Sequence, residues 1–233
     1  MPYLYYMDYW YLILVLPAAL VSLWAQLRVK TTFSKYSDKQ VGCRMTGAGV
    51  ARYIQQVNGI HTDIESVAGS LSDHYDPRGN VIRLSQPVYD RSTVAAIGVA
   101  AHETGHALQH AEGYGPVKLR TKMVPVTNFA SSFSPILIIL GILFSLQPLA
   151  YVGIALFSVV TLFQLVTLPV EFNASNRAVA ALEQSGRFSE EELKGVRKVL
   201  TAAALTYVAA LLVSAMQLLR LVLRVSGRGS RRR

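Results

Sequence analysis

The chain has 233 residues, 52% of them hydrophobic, and its 23 Lys and Arg against 14 Asp and Glu give a formal net charge of +9. The apolar residues are bunched into long blocks, which excludes an ordinary soluble domain: between Lys122 and Glu171 no side chain carries a formal charge, far more apolar chain than a buried core helix needs. The basic excess does not mark a nucleic-acid binder, because Lys and Arg are scattered beside the apolar blocks and at the extreme tail, with no basic helix or aromatic-basic stripe.

The first element, Trp10 to Leu27 (WYLILVLPAALVSLWAQL), has the length of a bilayer span and carries Trp near both ends. A cleaved signal peptide would need a positive residue before the apolar part, and the residues ahead of it hold only Asp8 as a charge. Residues 1–29 therefore read as a first transmembrane segment. Arg28, Lys30, Lys35 and Lys39 follow at once, and the bias of Lys and Arg toward the cytoplasmic flank places the next segment inside.

Residues 30–122 have the composition of a small soluble domain. Cys43, the only cysteine, can form no intrachain disulfide; it favours a reducing compartment and reads as a small buried hydrophobe or inert thiol. Thr46 to Gly59 predicts a helix with Thr46 as N-cap and Gly59 as its stop. IHTDIESVAG (60–69) and VIRLS (81–85) alternate as short strands joined through a turn, DHYDPRGN (73–80), with the turn-forming pairs Asp-Pro and Gly-Asn. A helix over 92–111 follows, capped by Asp90 or Ser92 and stopped by GYGP; its Ala-rich, nearly uncharged composition suits the centre of a domain.

Residues 123–170 read as a transmembrane hairpin broken near Gln147-Pro148, which returns Glu171 to the membrane face of His102. Residues 171–200 read as a polar helix and a helical connector that starts at Ser189-Glu190-Glu191-Glu192. The final apolar stretch, Thr201 to Leu219, and a basic tail make up residues 201–233. Crossing would leave Arg228 and Arg231 to Arg233 outside, against the positive-inside bias, so crossing, re-entry and an interfacial path all stay open. The fold class is α+β: a mainly helical membrane protein with about four apolar membrane segments and a small domain bearing a short β-sheet.

The chemistry lies in His102-Glu103-Thr104-Gly105-His106. Residues four apart on a helix share a face, so His102 and His106 can present two imidazoles to one Zn²⁺ at about 2.0–2.1 Å each. Glu103, next in sequence, faces the same cavity and can act as the base that takes a proton from metal-bound water. A catalytic site needs a third protein ligand. His110 is excluded, because the helix rises about 12 Å from His102 to His110. His61, His74, Asp76 and Glu171 remain, and Glu171 is favoured as the first charge after the long neutral run, at the membrane exit; its alternative is a helix-start carboxylate stabilised by the macrodipole. His74 and Tyr75 are candidates for stabilising the tetrahedral oxyanion or touching substrate, set against a turn His and a packed Tyr. Asp76 reads as a turn residue before Pro77.

HETGH, the preceding YDRSTVAAIGVAA, the turn DHYDPRGN, the later LPVEFNAS and AALTYVAA together resemble the YugP-like neutral zinc metallopeptidases of bacteria, and the likeness runs through nearly the whole chain. The resemblance implies a zincin-like catalytic domain and a gluzincin site like that of the HtpX and CAAX-prenyl-protease groups, with Glu171 as third ligand and one Zn²⁺ per chain. It also implies that the strand Asn80 to Ser85 is the edge on which an extended peptide is held by backbone pairing. Those groups orient a metal-bound imidazole through an acid four residues after the ligand Glu; here that position is Ser175, with Asn173 between, so which of the two serves is left open.

The expected function is thus a membrane-bound zinc-dependent endopeptidase. It would be a multi-pass protein of the cell membrane with a cytoplasmic catalytic domain, acting on protein or peptide substrates in or near the bilayer. No nucleic-acid partner is expected, and a membrane-protein partner or an oligomer stays open. The alternative is a catalytically silent zinc-binding scaffold or partner-binding protein, in which His74 or His61 would supply a fourth ligand in place of water. A channel would need an ionisable residue within a span to mark an ion path, and the spans offer none outside Arg220 and Arg224.

Overall fold

The computed structural model describes residues 8–229. A π-helical turn, Tyr11–Val15, runs into α1 (Leu16–Ser37), followed by α2 (Gly47–Asn58), β1 (Asp63–Val67), β2 (His74–Asp76) and β3 (Val81–Ser85). A short α3 (Gln86–Tyr89) leads to α4 (Val94–Ala111), then α5 (Gly115–Leu143), α6 (Gln147–Gln184) and α7 (Glu190–Gly229). Four helices, Tyr11–Ser37, Gly115–Leu143, Gln147–Gln184 and Glu190–Val225, are long and apolar enough to cross a bilayer. With the small sheet they make the chain a mainly helical α+β membrane protein. It divides into two compact units, residues 8–25, 119–167 and 206–229 in one, residues 26–118 and 168–205 in the other.

The first unit is built for lipid. Leu20, Trp24, Phe129, Phe133, Ile139, Leu143, Val152, Leu165 and Leu219 are exposed, an apolar surface suited to a bilayer. Its interior is small: Ile138, Ala150, Ile154, Leu221 and Val225 pack together. Glycines let the helices approach, since a Cβ on Gly141 would run into the Ala150 backbone N and one on Gly153 would meet the Ser134 carbonyl at 3.0 Å. Asp8 Oδ2 accepts hydrogen bonds from Arg220 Nε (2.8 Å) and Nη2 (2.6 Å) and from Arg224 Nη1 (2.8 Å), so the start of the first span meets the late part of α7. The side chain of Arg228 and the tail Arg231–Arg233 lie outside the described residues.

The second unit carries the sheet. Its strand order is β1-β3-β2, with β1 parallel to β3 (Asp63↔Val81 through Val67↔Ser85) and β2 antiparallel to it (Tyr75↔Ile82). The order corrects two expectations. The segment read as a turn contains a strand, His74–Asp76, because only Pro77 to Asn80 is needed to reverse the chain: Asp76 Oδ1 accepts from Arg78 N–H, and Asn80 adopts the left-handed φ of 49°. The strand over residues 81–85 is not an edge, since neighbours take both its sides, and four of its five residues are buried, Ile82 and Leu84 among Val88, Ala96 and Ala100.

Helix α2 follows the prediction, with Thr46 Oγ1 accepting from Gly49 N–H and Gly59 ending it at φ 65°. Helix α4 begins later than expected: its cap is Thr93, whose Oγ1 accepts from Ala96 N–H, rather than Asp90 or Ser92. α4 is the hub, burying Val94, Ile97 and Ala101 with Ile54, Leu182, Val196 and Leu200 on one side and Ala96 and Ala100 with Ile82, Leu84 and Val88 on the other. Each buried Val, Leu or Ile is worth roughly 1.5–3 kcal/mol. Ser189 and Glu192 form the capping box that opens α7: Glu192 N–H donates to Ser189 Oγ, and Ser189 N–H to Glu192 Oε2. Cys43, expected to be buried, is exposed.

Candidate metal centre

α4 places His102 and His106 one turn apart, their rings edge to face with centroids 4.7 Å apart. The long α6 supplies Glu171, which is only 2% exposed. Gly105 makes the meeting feasible: a Cβ there would lie 2.7 Å from the Ala174 carbonyl oxygen, so only glycine lets α6 lie against α4 at this level.

Glu171 Oε2 lies 3.3 Å from His102 Nε2 and 3.6 Å from His106 Nε2, and the three side chains offer ligand atoms within 4.8 Å of one another. A tetrahedron with metal–ligand bonds of about 2.0–2.1 Å has edges of about 3.3 Å, so the observed spacing fits a zinc ion, and two imidazole nitrogens with one carboxylate oxygen are a donor set that zinc accepts. Burial by itself would lower the pKa of the His106 imidazolium, but hydrogen bonding to Glu171 and the charges of Glu103 and Glu171 outweigh it and hold it above the ordinary value.

Each imidazole is held from behind. His102 Nδ1 lies 3.2 Å from Ser175 Oγ, and His106 Nδ1 lies 3.0 Å from Gln109 Oε1. Gln109 is fully buried and donates through Nε2 to the Val170 carbonyl (2.8 Å) and to Asn173 Oδ1 (2.9 Å). Arg177 Nε donates to the same Asn173 oxygen (2.7 Å), and its two terminal nitrogens grip Glu112 at 2.6 and 2.7 Å. Both residues left open by the sequence thus have work here, Ser175 beside His102 and Asn173 behind Gln109. Gln109 and Arg177 escaped the sequence reading. The one signal for Gln109 is a lone amide three residues after His106, one helical turn along the same face; Arg177 has none.

Glu103 is nearly buried, and its Oε2 accepts a hydrogen bond from Tyr75 N–H at 3.0 Å. That contact makes β2, not β3, the edge strand beside the cluster. Asp73, which precedes β2, accepts from Ser85 N–H (2.7 Å) and from Ser85 Oγ (3.0 Å), pinning the start of the strand. Burial raises the Asp73 pKa and the nearby Glu103 charge adds to the rise, although the Ser85 donors oppose it. Of the other residues singled out, Tyr75 donates its hydroxyl to Asn80 Oδ1, and its ring lies tilted against His110, centroids 5.4 Å apart. His74 is exposed, with Nδ1 2.8 Å from the Ser72 carbonyl. Asp76 is taken up by Arg83 and Arg78, and His61 is exposed.

Residues 11–226 match the protein family described as "Putative neutral zinc metallopeptidase". The chain is 50% identical over 214 residues to a Bacillus subtilis (strain 168) protein described as "Putative membrane protease YugP", an alignment covering 91% of this chain and 95% of that one. No solved structure matches it.

Proposed function

The chain belongs to this metallopeptidase family, and on that premise we propose that it is a membrane-bound endopeptidase that uses one zinc ion per chain, held by His102, His106 and Glu171, with Glu103 as general base. The observation that carries the proposal is the convergence of three ligand atoms from α4 and α6 beside a carboxylate that is not one of them. Among the described residues the cluster has three members, which suits a catalytic site with an open position rather than a closed structural one.

Zinc, when bound, supplies a Lewis acid that polarises a scissile carbonyl and lowers the pKa of a coordinated water to about 7. The chain's own residues do the rest. Tyr75 N–H fixes one oxygen of Glu103, leaving the carboxylate's second oxygen to take a proton from the attacking water and return it to the leaving amine. The outer edge of β2 runs beside this carboxylate, so an extended peptide adding to that edge would bring its backbone to the reacting atoms. His74 and Tyr75, being on β2, are then candidates for substrate contact. Substrates are polypeptides in or beside the bilayer, because the same chain carries four helices able to cross it.

The test is zinc content and cleavage of an unfolded protein by purified wild type and Glu103→Ala. The variant should keep its zinc and lose activity by about 10²–10⁴-fold; equal activity in the two would sink the mechanism.

A further inference from the structure

We propose that Gln109 is the positioning residue for the metal ligand His106, and that Arg177, at the far end of the same hydrogen-bond relay, sets the direction in which the relay runs. The inference deepens the metal-site reading and rests on it.

Each step follows from what a group can do. A guanidinium has donors and no acceptor, so where Arg177 Nε meets Asn173 the atom facing it must be the amide oxygen. A backbone carbonyl can only accept, so the atom of Gln109 that faces the Val170 carbonyl must be its NH₂. The same NH₂ reaches Asn173 Oδ1, which Arg177 has already committed as an acceptor. Two independent groups therefore fix the Gln109 amide one way round, and its oxygen is left facing His106 Nδ1 at 3.0 Å. That nitrogen must carry a proton, so in the neutral imidazole that binds a metal the lone pair is on Nε2, the atom that faces Glu171.

Burial gives this polarity its force. Gln109 has no exposed surface, so reversing its amide would set an NH₂ against His106 and an oxygen against the Val170 carbonyl with no water to relieve either. The relay also crosses between α4 and α6 twice, at Gln109 to Val170 and Asn173 and again at Arg177 to Glu112, so the helix that carries Glu171 holds the orientation of His106. His102 differs. Its neighbour Ser175 has a hydroxyl that can donate or accept, so nothing in the relay dictates which nitrogen of His102 is protonated.

The experiment is zinc affinity, measured by competition with a fluorescent chelator in detergent, for wild type, Gln109→Leu, Arg177→Met, Arg177→Lys and His102→Ala. It is combined with ¹⁵N–¹H spectra of histidine-labelled, zinc-loaded protein. Gln109→Leu should weaken zinc binding by about 10–100-fold. Arg177→Met, at the more exposed end of the relay, should weaken it less, and Arg177→Lys, which still only donates, should recover most of the loss. The spectra should lose the hydrogen-bonded Nδ1–H signal of His106 in Gln109→Leu while that of His102 stays in place.

A merely structural role would disturb both histidines and would not be rescued by Lys. If Gln109→Leu is folded and binds zinc within about twofold of wild type, or if both histidine signals move together, the inference fails while the metal site stands. Should wild type bind no more zinc than His102→Ala, the site reading fails and takes the inference with it. If Gln109→Leu does not fold, the Arg177 pair decides: affinities of Arg177→Met and Arg177→Lys equal to wild type overturn the relay.

Discussion

Glu103 is tied to a backbone N–H of β2, whereas Glu171 faces two imidazole nitrogens. Their surroundings therefore suit one to proton transfer and the other to holding a cation. Removing the Glu171 charge should act on binding first: Glu171→Gln is expected to lose most of its zinc on dialysis, with activity falling in proportion to metal content, and a variant that kept its metal would rule out this ligand. The pH dependence follows from His106. Its pKa is held above the ordinary value of about 6.5, so in metal-free protein the pair it forms with Glu171 stabilises the fold fully below the ordinary value. That stabilisation is lost as pH rises through the raised one. The gap in thermal stability between metal-free wild type and His106→Ala should accordingly narrow as pH rises, as read by melts in chelator. With metal present the proton is a competitor, and zinc release on acidification should begin at a higher pH than an ordinary imidazole would set.

Two residues that never touch the metal decide how α4 meets its neighbours. Thr93 caps the helix, and Thr93→Ala should cost about 1 kcal/mol of stability without changing zinc affinity. Gly105 acts at the crossing with α6, where an added methyl would meet the Ala174 carbonyl at 2.7 Å. Gly105→Ala should therefore destabilise by roughly 1–3 kcal/mol and also weaken zinc binding, because it pushes the histidines and Glu171 apart. Urea or thermal unfolding combined with a chelator titration separates the two variants; unchanged zinc affinity in Gly105→Ala would contradict the close approach. The capped starts of α2 and α7 and the left-handed stop at Gly59 were readable from the residues themselves, since a cap is a contact within three or four positions. The strand His74–Asp76 was not, because a three-residue strand exists only through its partner β3.

At the scale of the molecule, Asp8 joined to Arg220 and Arg224 favours a last helix that crosses, since the start of the first span and the late part of α7 then belong to one end of the helix unit. Arg28, Lys30, Lys35 and Lys39, following the first span, support the proposal that the second unit is cytoplasmic. Cys43 makes this testable by labelling the native chain, being its only cysteine and exposed. In intact cells a membrane-impermeant maleimide should fail to label it and should label it after permeabilisation, while a carboxy-terminal tag should be reachable from outside. Labelling of Cys43 in intact cells would invert the orientation.

The amino-acid sequence by itself determined the apolar spans, the helix that carries His102, Glu103 and His106, both ends of α2 and the start of α7. Span length, helical spacing and end caps are properties of neighbouring residues, so they are written where they act. Only the tertiary structure decided that β3 is central, that β2 is the strand touching Glu103, and that Gln109, Asn173 and Arg177 stand behind His106. Those facts depend on strands choosing partners and on side chains about sixty positions apart meeting between two helices, and no local pattern encodes which distant group a buried amide will find.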